Sequence, residues 1–171
     1  IAARHPAVIS AIHRSRDILP EVELAVERLN SPEQVHQLSA GRLDLAILID
    51  RPPDPAFEWM RLCTDEFIVG MAIEHRLAER TELTPADLLR ERFVAMRLNR
   101  YGPAQAQIFS ACRQMGFVPN VVQEAASEQM QLALIRDGLG VGFVTRSAGQ
   151  VLPGQLALVP LQGFSHHLDV D

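Results

Sequence analysis

The sequence predicts an α/β protein built on largely parallel sheets, and three observations lead there. Strand-like runs alternate with helix-like runs along most of the chain. The apolar runs have strand length and are bounded by Gly, Pro and Asn. With 171 residues, 47% apolar and 22% charged, the chain has material for a substantial core, in one domain or two small lobes.

Taken in order, Ala2 to Ile18 reads as a helix with Val8, Ile9 and Ile12 on one side. Glu21 to Leu29 sets Val22, Leu24 and Val26 against Glu21, Glu23 and Glu27, the period of a strand with one wetter face. Ser31, Pro32 and Gln34 form the pattern of a capping box, so a second helix starts there and stops at Gly41. Leu43 to Ile49, apolar except for Asp44, has the character of a parallel strand covered on both faces. Three prolines between Asp50 and Pro55 mark a loop. Phe57 to Cys63 and Glu66 to Ile73 then read as two strands with no helix between them, which a single regular winding does not produce; two lobes explain it.

Thr84 and Pro85 open a short helix by the cap-then-proline rule, and Phe93 to Met96 is a short strand. Asn99 to Pro103 reads as a loop. Ala104, Ile108, Ala111, Cys112 and Met115 recur at helical spacing, with Gly116 as the stop. Asn120 to Ala125 is a strand; Ser127 caps a helix running to Asp137; Gly138 and Gly140 end it; Val141 to Thr145 is a strand. Leu156 to Leu161 and Leu168 to Val170 complete the set.

Composition removes several functions. A net charge of −5 argues against phosphate-backbone binding by this segment itself. All sixteen basic residues are Arg, which excludes Schiff-base and phosphate-loop lysines. Cys63 and Cys112 lack a CxxC or a local His partner and read as buried thiols suited to a reducing cytoplasm. No signal-peptide pattern and no membrane-length apolar run is present. The six histidines show no zinc spacing, no GxSxG elbow exists, and Asp44, Asp65, Asp87 and Asp137 sit at element ends where capping is the common role. No metal, no cofactor and no catalysis is therefore expected. Gly138 to Gly142 follows a helix and precedes a strand, the reverse of a dinucleotide loop, and reads as a helix stop.

What stays is a set of polar residues at helix starts and strand ends: Asn30 and Ser31, Asn99 to Tyr101, and Ser127 to Gln129. Ligands of open α/β sheets bind outside the carboxyl ends of the strands, where helix N-termini favour anions. Arg51, Arg97, Arg100 and Arg146 lie near strand ends and are candidates to pair with a carboxylate.

Three phrases resemble the effector-binding domain of LysR-type transcriptional regulators. They are PEVELAVERLNSPEQVHQLSAGRLDLAILI, EFIVGMAIEHRLAERTELTPADLLRERFVAM, with Arg76 in a usual proline position, and ACRQMGFVPNVVQEAASEQMQLALIRDGLGVGFVTRS, with Thr145 or Arg146 in another. The resemblance implies two Rossmann-like lobes joined by two crossover strands, in the manner of type II periplasmic binding proteins, with a small-molecule inducer between them. Lobe I would comprise residues 1–65 plus 146–171, and lobe II residues 66–145. It further implies effector contacts from Ser31, Asn30, Arg51, Asn99, Arg100, Tyr101, Ser127 and Glu128. The first helix and the strand after it would form the face of a homodimer, alone or within a tetramer. A DNA-binding helix-turn-helix and a first strand would precede Ile1, making the chain a fragment of a cytoplasmic regulator. A solute-binding protein of a transport system is the alternative reading, and an enzyme on the same frame ranks last.

Overall fold

The computed structural model describes residues 6–27, 29, 31–48, 55–150 and 152–170, with backbone alone for residues 98–103. The elements are α1 (Pro6–Ile18), α2 (Ser31–Ser39), β1 (Cys63–Ala72), α3 (Pro85–Leu88), β2 (Arg92–Met96), α4 (Leu98–Gln114), β3 (Asn120–Ala125), α5 (Glu128–Arg136), β4 (Gly142–Thr145), α6 (Arg146–Gln150), β5 (Leu156–Val159) and β6 (His167–Val170). They fall into two compact units, Ile1–Asp65 with Leu168–Asp171, and Glu66–His167. The chain thus crosses from one to the other within β1 and again within β6. Residues 146–167, which the sequence reading assigns to the first lobe, pack in the second unit. The reason is pairing: α6 packs on β4 and β5, and β5 forms a ladder with β1.

In the first unit α1 and α2 form, but the two strands expected over Glu21 to Leu29 and Leu43 to Ile49 carry no ladder among the described residues. A period-2 pattern reports which side chains alternate; a strand also needs a hydrogen-bonding neighbour. The Ser31 box does not form as expected either. Gln34 reaches across the turn, with Nε2 donating to the Leu29 carbonyl (3.1 Å) and Oε1 accepting from Ile47 N–H (3.1 Å), so its amide ties α2 to the following segment. Ser31 is the first helical residue of α2, not the residue before it, and Asn30 lies outside the described residues.

The strands of the second unit form two sheets, one of four strands around β1 and one of β2 and β3, and their pairing is mixed instead of largely parallel. β4 and β5 both pair antiparallel with β1, with Val69 opposite Phe143 on one side and Val159 on the other. β6 also pairs with β1. β2 and β3 are parallel, and a parallel bridge between Phe93 and Val141 sets β2 beside β4. Only one continuous strand occupies the region expected to hold two, since β1 starts at Cys63 and residues 57–62 are irregular.

Alternation sorts the core onto two faces. Val94 and Val144 pack with Ile68, Met96, Ala125, Leu132, Ile135, Ala148 and Leu156 under α5 and α6. Phe93 and Phe143 belong to an aromatic row, Phe117–Phe93–Phe143–Phe164, with centroid separations of 6.5, 5.9 and 4.8 Å. Helix α4 starts at Leu98, so Asn99 to Pro103 is helical backbone instead of the expected loop. Its buried stripe of Ala104, Ile108 and Cys112 anchors the helix, and extending a nucleated helix backwards is cheaper than starting one. The Gly116 stop forms as expected, at φ 87°, with Phe117 N–H donating to the Cys112 carbonyl (3.0 Å).

At α3 the Thr84 N–H and hydroxyl both donate to Asp87 Oδ2, at 2.8 and 2.7 Å. These bonds hold the Asp87 carboxyl below the usual aspartate value. The fold favours the charged form, so the contribution is present at neutral pH and is lost as pH falls from the ordinary aspartate value through the lowered one. Titration of Asp87 by NMR should give a pKa below that of unpartnered aspartates, moved upward by Thr84→Val. An unshifted Asp87, or one indifferent to that change, would refute the assignment.

Candidate functional site

Three strand-to-helix turns lie side by side at the carboxyl ends of β2, β3 and β4. β2 ends at Met96, Arg97 takes an extended cap conformation, and α4 begins. β3 ends at Ala125, Ser127 caps α5, and the Ser127 hydroxyl accepts from Met130 N–H (3.2 Å). The Arg97 N–H donates to the Ala125 carbonyl (3.1 Å), which joins these two turns directly. β4 ends at Thr145, whose buried hydroxyl accepts from Ala148 N–H (3.3 Å) and so caps α6. Parallel strands aim their following helices the same way. The N-termini of α4 and α5, with their unshared backbone N–H groups and positive dipole ends, are therefore neighbours at one edge, an arrangement that favours an anion.

Of the residues expected to contact an effector, Ser127 and Glu128 stand in the α5 turn, as cap and first helical residue. Asn99, Arg100 and Tyr101 contribute backbone to the first turn of α4, while their side chains lie outside the described residues. Ser31 opens α2 in the first unit, half-buried. Asn30 and Arg51 lie outside the described residues. Arg146 is engaged within the protein: its Nε and Nη2 both donate to Glu66 Oε2, at 3.0 and 2.7 Å.

Sequence reasoning passed over Gln131 and Thr145. Gln131 sits four residues before Ile135, on the buried face of α5, and is itself buried. A glutamine on the apolar stripe of a helix is the signal that could have found it, because a buried amide must meet hydrogen-bond partners.

Removing the Ser127 cap should cost about 1 kcal/mol. In urea unfolding, Ser127→Ala is expected to lower the midpoint accordingly and Ser127→Asp to retain most of it. A wild-type midpoint for the alanine variant would show that the hydroxyl does not hold the turn.

Among the described residues no group of three or more His, Cys, Asp or Glu is placed to hold a metal ion, and no helix is long and apolar enough to cross a membrane. Burial pushes the Cys112 thiol up to about 12, which suppresses its thiolate, and it pushes Cys63 up as well. His75 is used locally, with Nε2 3.2 Å from Glu91 Oε2 and Nδ1 accepting from Leu77 N–H (3.3 Å).

Residues 4–170 match the family model described as the LysR substrate binding domain. The chain belongs to the LysR substrate-binding domain family. The HTH-type transcriptional regulator ShiR of Corynebacterium glutamicum (strain R) is 29% identical over 164 residues, covering 95% of this chain and 55% of ShiR. Two solved LysR effector-binding domains share the fold. One is BenM with its effector benzoate, at TM-score 0.77 and 19% identity, covering 95% of this chain and 75% of that one. The other is QuiR in complex with shikimate, at TM-score 0.78 and 13% identity, covering 99% and 80%. The fold of this LysR domain is thus the type II periplasmic-binding-protein-like one. The chain spans about half the length of the curated relatives it matches, and those relatives are transcriptional regulators, not transport proteins.

Proposed function

We propose that this LysR domain is the inducer sensor of a DNA-binding regulator and takes a small carboxylate-bearing metabolite at the carboxyl ends of β2, β3 and β4. The observation that carries the reading is the joining of the α4 and α5 N-termini through Arg97 N–H and the Ala125 carbonyl, which gives an anion two helix ends at once. Benzoate and shikimate, the compounds held by BenM and QuiR, are both carboxylates and support the same choice. Ser127, Glu128, Asn99, Arg100 and Tyr101 are the contacts proposed on this edge, and Ser31, Asn30 and Arg51 those from the first unit. Binding biases the population of the domain's conformations, and a DNA-binding domain of the whole protein, working in the cytoplasm, reads that bias.

The experiment is thermal unfolding across a carboxylate panel that includes benzoate and shikimate. A true inducer at a hundredfold excess over Kd stabilises by about 2.7 kcal/mol, which raises Tm by about 5–10 °C for a domain of this size. If no compound shifts Tm while the full-length protein still responds in a reporter assay, the sensor reading fails.

We also propose a homodimer, alone or within a tetramer, through α1 and the segment after it. Ile9, Ile18, Leu19, Val22, Leu24 and Val26 are all exposed there, an apolar run that a monomer leaves wet. Light scattering at high protein concentration should give twice the chain mass or a multiple of it; a monomer would contradict this.

A further inference from the structure

We infer that Gln131 is a positioning residue that fixes the first turn of α5 against β2 and β4, and that the affinity of this turn for a carboxylate depends on that tether. The inference rests on the reading of the site given above.

Gln131 is 3% exposed, and its Nε2 donates to the carbonyls of Val94 (3.0 Å) and Phe143 (3.2 Å). The two hydrogens of one amide are thus placed on two different strands. Those strands are neighbours, since Val94 N–H donates to the Val141 carbonyl (2.8 Å). The Val94 carbonyl lies beside a shift in the β2–β3 register, between Phe93 and Val94. Gly142 makes the arrangement possible: a Cβ there would stand 2.6 Å from the Val94 oxygen and 3.2 Å from Gln131 Nε2, so any other residue would crowd the amide and its acceptor.

On the helix side the tether acts one turn from the cap. Gln131 N–H donates to the Ser127 carbonyl (2.9 Å), and Met130 N–H to the Ser127 hydroxyl (3.2 Å). Leu132 and Ile135 bury α5 on the sheet, but apolar contact is non-directional and lets a helix slide. Two hydrogen bonds to fixed carbonyls stop the sliding and hold the Ser127 turn level with the Arg97 turn. A methionine at 131 would keep the length and the burial and leave two carbonyls without donors.

The test uses Gln131→Met and Gln131→Glu with two readouts. The first is amide hydrogen exchange in the segment spanning residues 127–131, compared with α4. The second is calorimetric titration of benzoate and shikimate. For Gln131→Met, exchange in that segment should rise about tenfold while α4 stays at its wild-type rate, and the Kd of whichever carboxylate binds the wild type should weaken about tenfold. Burial beside two carbonyl oxygens raises the pKa of a carboxyl at this position, so Gln131→Glu should behave like the methionine variant above that raised pKa and recover below it, because a protonated carboxyl again donates to one of the carbonyls. A role in general stability alone would raise exchange in α4 by the same factor and reverse there as well on protonation. Unchanged exchange, exchange raised equally in α4, or faster local exchange with unchanged affinity would each overturn the inference. Wild-type protein that binds neither of these compounds nor any other member of the carboxylate panel removes the carboxylate reading and with it the affinity half; the exchange comparison then decides the tether alone.

Discussion

Gly140→Ala should lower the unfolding free energy by about 3 kcal/mol or more, one of the two largest losses expected from single substitutions in this domain. A Cβ at Gly140 would press on the Arg92 carbonyl, with the carbonyl carbon 2.9 Å away. That carbonyl is already engaged, accepting Val141 N–H at 2.8 Å in the bridge that sets β4 beside β2. Neither partner is a flexible side-chain end, so relief requires the two backbones to part and the bridge to open. Gly116→Ala is the control: its φ is 87°, so alanine is strained there, but a Cβ would meet nothing within 4 Å. Its cost should be about 1–2 kcal/mol, the price of left-handed backbone alone. Urea unfolding with an unchanged m-value separates the two, and equal losses would show that β2 and β4 do not need their close approach.

Phe93→Ala should cost about 3–5 kcal/mol. The ring is 1% exposed and lies in the middle of the aromatic row, 5.9 Å from Phe143 and 6.5 Å from Phe117. Truncation removes contacts to both and leaves a cavity that strand residues on a paired ladder cannot collapse to fill. Phe93→Leu, which keeps most of the volume, should cost about 1–1.5 kcal/mol. Calorimetric unfolding measures both. A loss below about 1 kcal/mol for the alanine variant would mean that the row is not a load-carrying part of the core.

Much of the second unit was legible in the sequence where the signal lay within one helical turn. Thr84 with Pro85, Ser127 before α5, and Gly116 and Gly138 after α4 and α5 each mark the end of an element that forms at that place. Expectations failed where a distant partner competed. The Ser31 pattern calls for Gln34 to turn back on the cap, yet Ile47 N–H, thirteen residues on, takes its carbonyl oxygen. Gly102 and Pro103 suggest a loop, and the buried stripe after them draws the helix back to Leu98. The polar residues at the starts of α4 and α5 were visible as candidates; that their turns share a hydrogen bond was not.

Local chemistry, acting over three to five residues, let the amino-acid sequence alone determine the starts of α3 and α5, the glycine stops, the places of β2, β3 and β4, and the phrases that identify the LysR family. Only the tertiary structure decided strand direction, the unit that takes residues 146–167, the engagement of Arg146 by Glu66 across 80 positions, and the hold of Gln131 on Val94 across 37. The physical reason is that a hydrogen bond or ion pair between remote segments depends on where the whole chain places its acceptor, and a donor carries no mark of that place in its neighbours.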